Sequence, residues 1–480
     1  MKIQYPAAEE VFAIFRQLNQ IPRPSHHEER IADFLCAFAE RLGLAYDRDA
    51  HNCVVIRKPA TPGHEHAEPV VLLNHMDMVC VGMKDPLNDP VKAVVDGDWM
   101  SAEGTSLGAD NGVGLSMALA VLQDDSIVHG PIEVMTTTNE EDGMTGAAGL
   151  SPDFLKGRKV INLDSEDYDT ITVGAAGACL QLHRIPYVPE PAPGGKRRWY
   201  RISISGGRGG HSGVDINKGR ASAVVLAWAV LASIYNDYDF HLSSIQVGEA
   251  NASIASSAEI VVCVPSGEAA EFVKAQEDNL NEWIRSEYGD KDPDVNCHIV
   301  KCEPRDTVIP TPVFEALLTA LEGTPQGVVK MSETMKGTVE TSNNVGVIDT
   351  REDHILVTTH TRSFIDDDMT RLAGEIAERF AEVGAKSETV MTAPAWQENT
   401  DSRFLALTSQ VFYDVLGWHP RQVAMHFVLE AGYFKQKYPG IEIACIGPRI
   451  LEPHSTGERL EIHTVEDIWK VLVQLLARMA

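Results

Sequence analysis

Apolar residues recur every three to four positions in two stretches near the start of the chain, Ala8–Asn19 and His26–Leu42. Val11, Phe12, Ile14, Phe15 and Leu18, then Ile31, Phe34, Leu35 and Phe38, fall on one face of a helix in each. Pro22 and Pro24 separate the two, and Ser25, with acidic residues after it, is the expected N-cap of the second. The pattern then shortens. Cys53–Arg57, Val70–Leu73, Ile132–Thr138 and Lys159–Leu163 are short apolar, β-branched runs of the kind that buried parallel strands use. Gly112–Leu122 carries small residues at helical spacing and predicts a helix packed closely on a sheet. Strand–helix alternation of this kind predicts an α/β layer structure.

From about Gly174 the texture changes. Strand-like runs at Leu180–Ile185 and Trp199–Ser205 flank the loop PEPAPGGKRR, and amphipathic helices are predicted at Ala221–Tyr235 and Ala269–Tyr288. Further strands are expected at Ile260–Val264, Cys297–Cys302 and His354–Thr361, with a helix near Met369–Val383. This is the signature of an α+β insert, antiparallel sheet with helices, and no internal repeat is evident within it. APAWQENTDS (393–402) is the expected linker back. After it come a helix near Phe404–Leu416, a strand at Ile441–Ile446 and a last helix at Val465–Met479. A chain of 480 residues exceeds the size of a single core. The expected organisation is an α/β catalytic domain, an open mixed sheet flanked by helices, formed by residues 1–175 and 396–480. An α+β lid domain over 176–395 is inserted into it.

Composition narrows the function. A hydrophobic share of 44% with 23% charged residues is that of a globular protein. The formal charge of −28 argues against nucleic acid or an anionic membrane surface as partner, because both need basic patches. Eight cysteines are scattered with no C-x-x-C, which indicates neither a zinc knuckle nor a disulfide framework and favours reduced thiols in a cytoplasmic setting. No run of about 18 apolar residues occurs, and the N-terminal MKIQYPAAEEVF lacks the apolar core of a signal peptide.

The candidate chemistry sits where predicted strands end. PVVLLNHMDMVC (69–80) closes a strand with His75 and Asp77, which point the same way in an extended chain. Such a pair suits a metal site in which one residue ligates and the other orients it, and equally a hydrogen-bonded histidine. Asp110 in SLGADNGVG precedes a helix, as a cap or turn residue would. Glu140 and Glu141 close TTTNEEDG as adjacent carboxylates, which need either solvent or a cation. For both to reach one site a local turn is required, with Gly143 at hand to make it. Asp164 ends VINLDSE, and His454 follows the last strand in IGPRILEPHS. Each is ordinary alone. Together they place two imidazoles and several carboxylates at the strand ends of one open sheet, where such folds assemble their sites. Oxygen and imidazole donors without cysteine suit zinc, manganese or cobalt in a catalytic setting, in numbers sufficient for two ions.

The order of H-M-D, A-D-N-G, N-E-E-D-G, N-L-D-S-E, G-G-H-S-G and P-H-S resembles the di-zinc metallopeptidases of the glutamate carboxypeptidase and aminoacylase group over nearly the whole chain. LNHMDMVC, SLGADNGVG, GRGGHSG, TSNNVG and IGPRILEPHS are most similar to the branch whose members cut aminoacyl-histidine and other unblocked dipeptides. The resemblance implies a phosphorylase/hydrolase-like catalytic domain and two divalent ions, zinc first, with cobalt or manganese as alternatives. Asp110 would bridge the ions, His75 and Asp164 complete one site, and Glu141 and His454 complete the other. Glu140 would be the general base, Asp77 the support of His75, and the Asp110–Asn111 peptide bond would be cis. His211, in SGGRGGHSGVD, would stabilise the oxyanion. Arg362 would hold the substrate's free carboxylate, and Asn343, Asn344 and Gly432 would line the substrate pocket. The asparagine–apolar–proline signature of many relatives is absent from NASIASSAEI (251–260), so no substrate-binding asparagine is assigned there. The implied partner is a small peptide, with a homodimer as an open possibility. A deacylase of N-acyl amino acids or an aminopeptidase of the same group is the alternative activity.

Overall fold

The computed structural model describes residues 8–480, apart from the side chain of Asp237. The first seven residues, part of the stretch read above for a signal peptide, lie outside the described residues. The chain forms two compact units. One comprises the described residues to Gly174 with Glu398–Ala424 and Glu430–Ala480, the other Ala175–Gln397 with Met425–Leu429. Among the described residues no helix is long and apolar enough to cross a membrane, and all eight cysteines are free thiols.

The first unit is built on an eight-stranded mixed sheet. Its order is Ala45–Arg48, Val54–Lys58, Ile132–Thr137, Val70–His75, Lys159–Asn162, Glu442–Cys445, Thr170–Ala175 and Arg421–Met425. The centre is parallel: Val70–His75 lies between Ile132–Thr137 and Lys159–Asn162, and Glu442–Cys445 runs beside the latter. Every residue of Val70–His75 and Ile132–Thr137 is buried, as unbroken apolar runs require of strands covered on both faces. The helix Ala109–Gln123 packs on Val70–His75 and against the helices Glu9–Leu18 and Ile462–Met479. It is buried nearly all round, which explains why it is apolar throughout instead of striped. His75 pairs opposite Thr137, and Leu73 opposite Asn162. The central strands therefore end together, and the segments leaving them share one edge. A small second sheet of Ile450–Leu451, Arg459–Glu461, Trp99–Ala102 and Ala93–Asp96 carries too short and exposed a pattern to have been predicted.

The second unit contains a nine-stranded antiparallel sheet, eight of whose strands belong to two copies of a β-α-β-β-α-β order. One copy is Arg197–Ser205, helix Ala223–Asp237, His241–Val247, Ala258–Pro265, helix Glu268–Tyr288 and Asn296–Lys301. The other is Gly177–Pro186, helix Thr311–Gly323, Val339–Thr350, His354–Ser363, helix Asp366–Glu382 and Lys386–Ala393. In both, the fourth strand neighbours the first, the first the third, and the third the second. The two second strands join antiparallel through Gln246↔Asp349 and Val247↔Ile348, and one apolar core runs through both copies. The repeat is hidden in the sequence because one copy is inserted into the other, which removes the fixed period by which repeats show themselves. Gly327–Met331 adds a short strand beside Val339–Thr350. The expected linker 393–402 is partly anchored: Trp396 is buried and pairs with Ala175, and the Ala395 amide donates to Asp366.

Candidate active site

Five chain segments, four of them following strands and one opening a helix, converge at the carboxyl edge of the parallel strands in the first unit. His75 Nε2 lies 3.0 Å from Asp110 Oδ1 and 3.3 Å from Asp164 Oδ1. The other oxygen of Asp110, Oδ2, lies 3.1 Å from His454 Nε2, which is itself 2.9 Å from Glu141 Oε2. Asp110 thus faces one imidazole with each oxygen, and each imidazole has a further carboxylate beside it. The backbone leaves helical geometry at Asp110 and Asn111, and the peptide bond between them is cis. The Asn111 side chain donates to the Leu163 carbonyl (2.8 Å) and to Asp164 Oδ1 (2.7 Å), which ties the Asp110 and Asp164 segments together.

The turn that two adjacent glutamates require is present at residues 140–143. Asn139 opens it in the left-handed region at φ 55°, a conformation asparagine tolerates, and Gly143 follows at φ 105°. Its amides are held by buried carboxylates: Asn139 donates to Glu28 (2.8 Å), and Glu140 and Glu141 donate to the two oxygens of Asp77 (3.1 and 3.2 Å). Asp77 also sits against His75, whose Nδ1 is 3.1 Å from the Asp77 carbonyl and 3.5 Å from its carboxylate. It therefore supports the histidine and the glutamate turn at once. Ser25 does not cap a helix. The helix begins at Glu29, with Glu28 in the cap position, and the Ser25 hydroxyl donates to Asp77 Oδ2 at 2.8 Å.

The electrostatics are those of a site short of positive charge. Burial first, then Asp164, Glu430 and Glu141, raise the pKa of Glu140. Burial raises Asp164 to about 6, although His75 opposes the shift. Asp110 is held far below the carboxylate range, because its contacts with His454 and His75 outweigh its burial. His454, bonded to Asp110 and Glu141, is pushed up to about 11. Two further acids that the sequence reading missed stand close by. Glu430, which accepts the Thr137 hydroxyl at 2.7 Å, is raised to about 8, mainly by burial. Glu166 is also raised to about 8, by burial and then by Asp110 and Asp164. Oε1 of Glu141 is buried with no hydrogen-bond partner. Ligand atoms of His75, Asp110 and Glu141 all lie within 4.8 Å of one another. Converging carboxylates, an orphaned buried oxygen and imidazoles without thiolates fit divalent cations. His75 and Asp164 can hold an ion on one side, His454 and Glu141 on the other, with Asp110 between.

Three of the remaining predicted residues belong to the second unit as strand residues, and His211 to a turn of it. The His211 amide donates to Asp215 (2.9 Å), and its Nδ1 accepts the amides of Gly213 and Val214 (both 3.2 Å). Burial and then Arg362 lower its pKa. Arg362 is 3% exposed, and Ser212 accepts from its Nη2 at 3.4 Å. Its Nε is unpartnered, and burial lowers its pKa to about 10. Asn344 pairs opposite His360, and Ser342 opposite Arg362, so Asn344 shares the Arg362 face of the sheet. Asn343 points to the other face, where its side chain donates to the Pro325 carbonyl and accepts from Thr361. Gly432 is buried in the first turn of the helix Ala431–Lys437, in the first unit.

An α/β hydrolase whose carboxylates and imidazoles are fit to hold metal is the class that fold and site define. The chain belongs to peptidase family M20/M25/M40, whose profile matches residues 71–478, and it is a metal-dependent hydrolase of peptide bonds. It is similar to the cytosol non-specific dipeptidase of Escherichia coli (strain K12), 33% identical over 467 residues and 96% of each chain. The crystal structure of aminoacylhistidine dipeptidase from Vibrio alginolyticus matches with a TM-score of 0.92 and 34% identity, covering 98% of this chain and 96% of that one. A tripeptidase from Staphylococcus aureus shares the fold, at 17% identity and a TM-score of 0.59 over 99% of both chains.

Proposed function

We propose that the chain is a dipeptidase that cuts unblocked dipeptides, aminoacyl-histidine and β-alanyl-histidine among them, with two divalent ions, zinc foremost, in a cytoplasmic setting. The observation that carries this reading is Asp110, whose two oxygens face His75 and His454 at 3.0 and 3.1 Å. Full-length similarity to two dipeptidases supports the substrate class.

In this reading His75 and Asp164 hold one ion, Glu141 and His454 the other, and Asp110 both. When bound, such a pair polarises the scissile carbonyl and makes the attacking water more acidic. Glu140 takes the proton of that water and returns it to the leaving amine. Burial beside other carboxylates suits it to hold the proton between the two steps. Asp77 keeps both His75 and the Glu140–Glu141 turn in place. His211, whose Nδ1 is occupied as an acceptor, has Nε2–H left to donate to an oxyanion. Arg362 is a buried guanidinium with its Nε free, suited to bidentate capture of a substrate carboxylate. The parts given to Asn343, Asn344 and Gly432 as pocket residues rest on the motif resemblance.

A panel of free dipeptides, tripeptides and N-acetyl amino acids, assayed with added zinc, tests the reading. Cleavage of the dipeptides with little action on N-acetyl amino acids is expected. The opposite preference would replace the dipeptidase reading with that of a deacylase.

A further inference from the structure

The side chains that fix Asp110 are not themselves placed as metal ligands. Glu458, 2% exposed, lies four residues beyond His454. Its Oε2 accepts the amides of Leu107 (2.6 Å) and Gly108 (2.9 Å), and its Oε1 accepts that of Ala109 (2.8 Å). Both oxygens are thus occupied by the backbone that leads into Asp110. Arg23, 1% exposed, reaches the same backbone from another direction and donates to the Gly108 carbonyl at 2.7 Å. Its Nη1 donates to the carbonyls of Met76 (3.2 Å) and Asp77 (3.0 Å), just past His75. One residue, Gly108, is therefore held at its amide by a carboxylate and at its carbonyl by a guanidinium. The glycines of SLGADNG make room for this. Gly108 sits at φ +68°, and a Cβ there would meet Arg23 Nη2 at 2.7 Å; at Gly112 it would meet the same atom at 2.5 Å.

We propose that Glu458 and Arg23 are positioning residues that set the metal affinity of both sites together by fixing the one ligand the sites share. The inference rests on the two-metal reading. A bridging carboxylate must aim one oxygen at each ion, so a displaced Asp110 backbone degrades both sites, whereas a displaced His75 or His454 degrades one. Glu458 and Arg23 also link the three segments that carry His75, Asp110 and His454. A carboxylate on backbone amides recurs at the Glu140–Glu141 turn, where Asp77 and Glu28 do the same work. Outer groups that orient ligands in this way commonly alter metal affinity by about 10- to 100-fold.

The test is stepwise zinc affinity by chelator competition on Glu458→Gln and Arg23→Lys. Each measurement is made below the variant's melting temperature, with His75→Ala alongside and the visible spectra of the cobalt-loaded proteins compared. Glutamine keeps the size of Glu458 but sets an NH2 against backbone amides. Lysine keeps the charge of Arg23 but loses its fork. Both dissociation constants should rise together, by about tenfold or more, with a changed cobalt spectrum. Arg23→Lys carries the test should Glu458→Gln not fold. A lowered melting temperature with unchanged affinities, or weakening of one site alone, would overturn the proposal. If His75→Ala loses an ion while both positioning variants bind as wild type does, the proposal fails and the two-metal reading stands. If His75→Ala also keeps both ions at full affinity, the assignment of His75 as a ligand, and with it the ligand set of the two-metal reading, falls.

Discussion

At the scale of single residues, the site divides into side chains that face its centre and side chains that hold the backbone around it. Most of the first kind was legible in the sequence, Glu166 and Glu430 excepted. His75, Asp110, Glu140, Glu141, Asp164 and His454 are polar residues at the ends of apolar strands or at a helix start, where a solvated loop residue and a ligand look alike singly but not as a set. The second kind was not legible. Arg23, Glu28 and Glu458 act on backbone groups 53 to 351 positions away, and nothing in their local pattern distinguishes them from surface charges. Ser25 was misread for the same reason, because a hydroxyl followed by acidic residues has the form of a helix cap. Glu140 separates base from ligand cleanly. Glu140→Gln should lower kcat by about 10²- to 10⁴-fold while zinc content stays at the wild-type value. Loss of bound zinc in that variant would make Glu140 a ligand instead.

At the scale of elements, boundaries predicted from apolar spacing fell within a few residues of those observed wherever burial followed the spacing, as in Glu29–Leu42, Ile132–Thr137 and Arg403–Leu416. Val339–Thr350 escaped because Thr341, Ser342, Asn343 and Asn344 are buried polar residues that interrupt any alternation. Buried polar groups also make the second unit sensitive to acid. His183 is fully buried on strand Gly177–Pro186, stacked on Phe380 at 4.1 Å and placed between Ser387 and Thr359. Burial lowers its pKa from 6.5 to about 4. Below its ordinary pKa the unfolded chain binds the proton that the folded chain refuses. Its contribution is thus whole above about pH 6.5 and is lost as pH falls towards 4, up to about 3 kcal/mol. His183→Gln should flatten melting temperature against pH across that window in calorimetry. Parallel profiles for the variant and the wild type would show that the imidazole does not titrate on unfolding.

At the scale of the whole molecule, the α/β class, the insert and the return of the chain to the first unit follow from the change of hydrophobic texture near Gly174 and after the linker. The doubling of the insert does not, since nesting hides it. The formal charge of −28 has a local counterpart in the carboxylates gathered around His75 and His454, which repel one another without a cation. Metal should therefore stabilise the folded chain. Zinc at a hundredfold excess over its dissociation constant should add about 2.7 kcal/mol for one site, read as a rise in melting temperature that a chelator reverses. A melting temperature indifferent to zinc and chelator would mean that the carboxylates are not balanced by metal.

One carboxylate, Asp110, is expected to serve two ions, and metal stoichiometry in Asp110→Ala tests that role. Elemental analysis of protein dialysed against dilute zinc should find two ions per wild-type chain and a loss of both in the variant, with His75→Ala losing chiefly one. Two tightly held ions in Asp110→Ala, or the loss of only one, would contradict the bridging role on which the account depends.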